Sequence, residues 1–311
     1  MADRVFNILF LCTGNSARFV DRIGKGVRAA PRDALLADLA PEGKRGVAFG
    51  LRKALDSTGA TLGPLLALLL MAAFDDDIRA VYWFAVIPAV LCVLLLGFGV
   101  REPVRRHRPA DEAERPPLWR LRALGPGFVG FLAIAGVMHL AIFSEAFMLL
   151  RGAELGLSAG LVPTLLIVMN LVYAATAYGA GWAADRRYAK GEGRSRILYA
   201  GFAPLIAAYA VLAVADAAWP YFLAAVLWGV HLGMTQGLMP AIVADLVPAD
   251  RRGTAFGLYH LVVGMTALPA GAIAGVLWHY VGPEATFSFG ASLGAIALSV
   301  FALWHSRHGR I

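Results

Sequence analysis

Eight stretches of this chain contain no Asp, Glu, Lys or Arg: 57–74, 80–100, 123–144, 155–184, 197–215, 217–244, 253–283 and 285–306. A bilayer core offers no partner for a backbone N–H or C=O, so a spanning segment must bond to itself, as a helix of about 20 residues. Each stretch can do so, and the shortest, 57–74, extends backward through Ala48, Phe49, Leu51, Ala54 and Leu55. Composition agrees: 59% of residues are hydrophobic and 16% charged, against about 25% charged in a soluble domain. The expected fold class is therefore all-α, a polytopic membrane protein. Soluble globular, disordered, collagen-like and coiled-coil chains are excluded. Cys12 and Cys92 are too few for a disulfide framework or a structural zinc cluster. No metal and no cofactor is expected.

The net charge of +7 is explained by orientation. Eighteen Lys and Arg fall in 41–46, 101–122, 185–196, 249–252 and 305–311, while the alternate loops hold only Arg79 and Arg151. Positive charge collects in cytoplasmic loops. The expected protein is a multi-pass resident of a bacterial inner or plasma membrane with a cytoplasmic C-terminus and the acidic turn Asp75–Asp77 outside. Its expected partner is the lipid bilayer, with no nucleic acid. Met1 to Leu11 carries no secretory cleavage pattern.

An internal repeat adds topology. Residues 37–51, ADLAPEGKRGVAFGL, match 244–258, ADLVPADRRGTAFGL, at ten of fifteen positions, an offset of 207. Such repeats in transporters mark homologous helix bundles that rock about a central site. Four spans from residue 123 precede the second copy, whereas only 37 residues run up to and include Ala37. The expectation is a first half lacking about three helices at the front, whose places another chain supplies or leaves empty.

These features resemble the major facilitator superfamily, whose members have two six-helix halves. The eight stretches would be helices five to twelve, with 19–40 as a charged fourth. Arg18-Phe-Val-Asp-Arg-Ile-Gly24-Lys-Gly26 is similar to the basic motif of that helix, and Gly181-Trp-Ala-Ala-Asp185-Arg186-Arg187 to the motif between helices eight and nine. Gly50, Gly59, Gly63 and Pro64 reproduce the spacing of the antiporter motif of helix five, although Ala67-Leu68 stands where the family has a Gly pair. The resemblance implies a partial first half over 19–100, a cytoplasmic linker over 101–122 and a complete six-helix half over 123–311. It implies proton-coupled efflux of a small molecule and not an enzyme.

Residues 1–18 read differently. Ile8-Leu-Phe-Leu-Cys12-Thr-Gly-Asn-Ser-Ala-Arg18 resembles the strand and phosphate loop of low-molecular-weight phosphatases and thioredoxin-coupled arsenate reductases. In that loop backbone amides cradle an oxyanion and Arg clamps it. The alternatives are a membrane-tethered reductase or phosphatase using Cys12, and a nonfunctional recombination fragment. No acid for the leaving group and no resolving cysteine follows.

Intramembrane charges are the transport and coupling candidates, since each is costly in hydrocarbon. Segment 19–40 holds Asp21, Arg22, Lys25, Arg28, Arg32 and Asp33, with 21/25 and 28/32 on shared helical faces. They form either a charged cavity wall or contacts to the front helices. Arg52 and Asp56 share a face one turn apart, as a protonatable site or as a static pair. Glu145, near Arg151, is a coupling candidate; Asn170, Gln236, His139 and His231 are polar groups within the spans. Gly50, Gly59, Gly63 and Pro64 make a packing face. Asp185, Arg186, Arg45 and Arg252 are expected to form a cytoplasmic gate.

Overall fold

A computed structural model describes residues 29–75, 77–95, 98, 124–157 and 164–308. Cys12, Arg18, Asp21, Arg28 and the 101–122 linker lie outside the described residues, as does the side chain of Pro64. The elements are a helix over 29–39 (α1), Arg45–Ala73 (α2), Ile78–Leu94 (α3), Pro126–Leu140 (α4), Ala146–Glu154 (α5), Thr164–Ala189 (α6), Ser195–Val214 (α7), Ala218–Thr235 (α8), Leu238–Leu246 (α9), Arg252–Tyr280 (α10) and Pro283–His308 (α11). Among the described residues there is no strand. Six segments are long and apolar enough to cross a membrane, and Ile78–Leu91 and Pro126–Leu140 are shorter apolar helices. The described residues of each uncharged stretch lie mostly on helix, as an all-α membrane protein requires.

The chain divides into two compact units, one of residues up to Thr58 with Arg120–Ile311, the other Gly59–Trp119. In the smaller unit, Asp75 takes a left-handed backbone, with φ 47°, and the Asp77 carboxylate accepts the Arg79 N–H at 2.9 Å at the start of α3. Phe74 and Phe84 pack across this turn at 5.2 Å. The apolar side chains of α3 are largely exposed, Trp83 at 74%, as suits a helix facing lipid.

In the larger unit α8 packs on α6 and α7, α7 on α11, and α10 and α11 on α4. Glycine sets several of these distances. A Cβ on Gly229 would stand 2.5 Å from the Met169 carbonyl oxygen, and one on Gly201 would stand 2.8 Å from Met234 and Thr235. Without hydrocarbon-excluded water to drive association, close backbone contact is what holds helices together in a bilayer.

Two stretches read as single spans are interrupted. The stretch 123–144 leaves the helix after Leu140, and the chain resumes as α5 at Ala146. The exposed backbone of this break is satisfied by Tyr209, whose hydroxyl donates to the Ala141 carbonyl at 3.0 Å and accepts the Phe143 N–H at 2.8 Å. Tyr209 is fully buried, with Trp228 edge-on against it at 5.2 Å. The stretch 217–244 turns at Gln236-Gly237 between α8 and α9. Gly237 lies against the Gly50 backbone, 3.1 Å from its nitrogen at the position of a Cβ.

The tightest contact joins α2 to α6. A Cβ on Gly50 would stand 2.5 Å from the Ala177 carbonyl oxygen, and one on Gly46 would stand 2.7 Å from that of Gly181. Gly46 and Gly50 are one turn apart, as are Ala177 and Gly181, so two small-residue faces meet. Gly59 and Gly63 have no neighbour within 4 Å of a Cβ among the described residues. Gly181→Ala should lower stability by about 1–3 kcal/mol because the obstruction is backbone and cannot rotate away. Gly59→Ala should cost nothing and gain about 0.5–1 kcal/mol from helix propensity. Thermal unfolding of the purified chain in detergent compares them, and equal melting points would contradict the contact.

Candidate functional site

The repeated segments meet through an exchange of arginines. Arg45 opens α2, and its Nη1 donates to the Ala244 carbonyl at 3.2 Å and to Asp245 at 2.7 Å. Arg252 opens α10, and its Nη1 donates to the Ala37 carbonyl at 3.4 Å and to Asp38 at 2.5 Å. Both arginines occupy the ninth position of the repeat, and each reads the Ala-Asp pair that opens the other copy. Both are buried.

A third element locks this arrangement on one side. Asp185, near the end of α6, accepts the Gly46 N–H at 2.9 Å and the Val47 N–H at 2.7 Å. Those amides open α2 and have no partner within their own helix, so a carboxylate from elsewhere both satisfies them and meets the positive end of the helix dipole. The small residues at 46 and 181 let Asp185 come this close. Arg194, wholly buried, donates through Nε to Asp185 at 2.9 Å and bonds Asp245 as well. Its guanidinium lies over the Tyr188 ring at 4.0 Å. Burial pulls the Arg194 pKa below its ordinary value, while the hydrogen bond and charge of Asp185 push it back.

Arg194 thus ties Asp185 to Asp245 and so to Arg45, and Arg252 pairs separately with Asp38, as two halves of a latch between the repeated segments. Arg186 lies apart, over the Trp182 ring at 5.3 Å on an exposed face, because successive helical residues do not share a face. Arg194 was not singled out by sequence, since it reads as one more loop cation in 185–196.

Deeper along the same helices sits a buried carboxylate. Asp33 of α1, 1% exposed, accepts from Arg52 Nη1 of α2 at 2.7 Å, from Arg32 Nε at 3.3 Å, and lies 3.0 Å from His260 Nε2 of α10. Arg52 also reaches Asp56, at 3.5 Å, but the Asp56 side chain is 55% exposed. The pair expected from one-turn spacing exists, and the stronger partner of Arg52 is Asp33. His260 is the residue that sequence reasoning missed. It lies at the repeat offset from Lys53, just as Tyr259 lies at that offset from Arg52. Tyr259 donates to Met239 at 3.4 Å, the equivalent of the Arg52 contact to α1. One copy of the repeat is therefore ionic at this contact and the other is not.

The other candidates are dispersed. Glu145 stands exposed at the start of α5. Arg151 pairs with Glu154 at 3.3 Å and Glu284 at 3.4 Å, and donates to the Ala215 carbonyl at 2.9 Å. Ser57 donates to Asn170 at 3.2 Å, linking α2 to α6. His139 and His231 have ring nitrogens 2.8 Å and 2.7 Å from the carbonyls of Ala135 and Gly201. Among the described residues no group of three or more His, Cys, Asp or Glu could hold a metal.

Breaking a buried ion pair by removing one partner costs about 3–5 kcal/mol, because the other charge stays buried and unpaired. Arg194→Ala should lose this much in detergent unfolding. Asp185→Asn combined with Arg194→Ala should lose well under the sum of the single losses. Additive losses would separate the two residues.

A model of the Major Facilitator Superfamily matches residues 8–263 and again 127–310. The matched region begins at Ile8, so it takes in the segment from Cys12 to Arg18. An uncharacterised MFS-type transporter of Methanocaldococcus jannaschii is 30% identical over 291 residues, covering 89% of this chain and 68% of that protein. An uncharacterised protein of Mycobacterium tuberculosis is 28% identical over 296 residues, 91% of this chain and 66% of its own. An MFS transporter of Aspergillus flavus is 26% identical over 271 residues, 83% of this chain and 58% of its own. The chain thus spans about two thirds or less of the length of these relatives. The crystal structure of the human organic anion transporter MFSD10 superposes with a TM-score of 0.69 at 16% identity, over 88% of this chain and 67% of that one, which shows a shared fold. A family model matched over most of the chain, a relative at 30% identity and a common fold make this chain a member of the Major Facilitator Superfamily of membrane transporters, not an enzyme.

Proposed function

We propose that the chain is a proton-coupled exporter of a small molecule in which Asp33 carries the proton. The observation behind this reading is that one buried carboxylate is held at once by Arg52 and His260 from two other helices. A charge in such surroundings persists only while it is paired. Protonating Asp33 removes the charge that Arg52 and His260 hold, and α1, α2 and α10 lose their common anchor.

Those three helices also carry latch residues. Asp38 lies five residues beyond Asp33, Arg52 seven beyond Arg45, and His260 eight beyond Arg252, which at the helical rise is about 7–12 Å. A change at Asp33 therefore reaches the latch through rigid helix, and opening and closing of the latch is the movement that alternating access needs. Positive charge in the latch loops favours its lying on the cytoplasmic side, so the latched form is closed to the cytoplasm. The spacing of Gly50, Gly59, Gly63 and Pro64, similar to the antiporter motif, supports the outward direction.

The reading is tested without knowledge of the substrate. In a Cys12→Ser, Cys92→Ser background, Ala37→Cys places a thiol beneath Arg252, where it reacts with a maleimide only when the latch opens. Rates are taken relative to the same thiol in the denatured chain, which follows the thiolate fraction alone; on that scale acidification should speed labelling, and Asp33→Asn should label about tenfold faster at neutral pH, the change that ~1.4 kcal/mol of lost pairing produces. The relative rate of Asp33→Asn should no longer respond to pH. An Asp33→Asn protein with the wild-type pH response would remove Asp33 from the mechanism.

A further inference from the structure

Asp33 is sealed in, and one of its partners can pass a proton. Its side chain is 2% exposed, and among the described residues Arg32, Arg52 and His260 are the side chains that bond to its carboxylate. A guanidinium stays charged throughout the range in which proteins work and gives up no proton. An imidazole both takes and gives one near neutral pH. His260 Nε2 stands 3.0 Å from Asp33 Oδ2, inside the ~2.6–3.2 Å over which a side chain hands over a proton.

The other ring nitrogen of His260 is open. An ionised carboxylate only accepts, so Nε2 carries the hydrogen of the neutral ring and Nδ1 is left as an acceptor. Among the described residues no partner is found for Nδ1, and 26% of the side chain is exposed. His139 and His231 differ, since their Nδ1 atoms lie 2.8 Å and 2.7 Å from the carbonyls of Ala135 and Gly201, which fixes a hydrogen there. The His260 ring is held by Phe256, stacked at 6.5 Å, and by Tyr259, edge-on at 5.2 Å. Tyr259 offers no second route, because its hydroxyl donates to Met239. Lys53 and Asp56 of α2 and His139 of α4 are in electrostatic reach of the group, with Glu145 and Tyr173 beyond them, and none of these bonds to Asp33 or His260.

We propose that His260 is the relay through which Asp33 gains and loses its proton, an inference that rests on the reading of Asp33 as the proton carrier. A proton arrives from water on Nδ1 and makes the imidazolium. The Nε2–H bond then breaks as a bond from that hydrogen to Asp33 Oδ2 forms, and the ring is left neutral with its hydrogen on Nδ1. Release is the reverse: Asp33 returns a proton to Nε2, and the proton on Nδ1 leaves to water. One proton enters and one leaves, and the ring recovers its first tautomer without turning over. The relay belongs to the latched form, in which Arg252 of α10 holds Asp38 of α1 and so keeps His260 of the same helix against Asp33.

Time-resolved infrared difference spectra of the purified full chain in detergent test this. They follow the carboxylic-acid C=O band that is absent from Asp33→Asn after a drop from about pH 7.5 to about 5.5, across the ordinary imidazole range. His260→Gln keeps a hydrogen-bond donor for Asp33 but has no proton to pass. Its Asp33 band should still appear, roughly tenfold or more slower than in the wild-type chain, since a positioned proton-transfer group contributes about 100-fold or more. His260→Ala should be equally slow, and free imidazole should restore its rate while leaving that of His260→Gln unchanged, because the Gln side chain fills the vacated place. A band that grows in His260→Gln as fast as in the wild-type chain, or a slow His260→Ala that imidazole does not hasten, would overturn the relay and leave Asp33 as the proton carrier. The lack of any Asp33-dependent band in the wild-type chain would remove the proton-coupled reading and the relay together.

Discussion

Arg45 and Arg252 do the same thing from the two copies of a duplicated segment: each opens a helix and reads the Ala-Asp pair that begins the other copy. The exchange needs both copies in register, since a slip in either would leave a buried guanidinium without its carboxylate, at a cost of about 3–5 kcal/mol. It is supported on one side by Asp185, which caps α2 from outside, and by Arg194, which bridges Asp185 and Asp245. The cap depends in turn on Gly46 and Gly181, because a side chain at either position would hold α2 away from α6. Packing and electrostatics are therefore one arrangement here.

What the duplication makes alike, substitution has made different deeper in the helices. Arg52 and Tyr259 occupy equivalent positions, as do Lys53 and His260, yet Arg52 makes an ion pair to Asp33 of α1 while Tyr259 donates to Met239. His260 reaches across to that pair from the second copy. A symmetric latch thus sits beside an asymmetric charge cluster on the same helices. The two copies thus share their cross-contacts and differ in a few side chains deeper along the helices.

The spans and the repeat could be read directly from the sequence, because uncharged length and self-similarity are local properties. Asp185, Arg45 and Arg252 could be read from motif and loop charge. His260 could not: a lone His in the uncharged stretch 253–283 looks like any other until α1 is laid against it. The same holds for Asp33 as the partner of Arg52, since one-turn spacing reveals Asp56 and says nothing of a neighbouring helix. The breaks at 141–145 and 236–237 were hidden for a related reason, as their backbone groups are satisfied by Tyr209 and their approach allowed by Gly237, both far away in sequence.

The most direct measurement is a charge swap in the simpler half of the latch. Arg252→Asp and Asp38→Arg, made singly and together, are compared by thermal unfolding of the purified chain. If reciprocal pairing between the repeats holds the fold closed, each single change lowers the melting point strongly and the double change restores most of the loss. A double variant no more stable than the worse single one would mean that the ion pairs accompany the contact between the repeats without holding it.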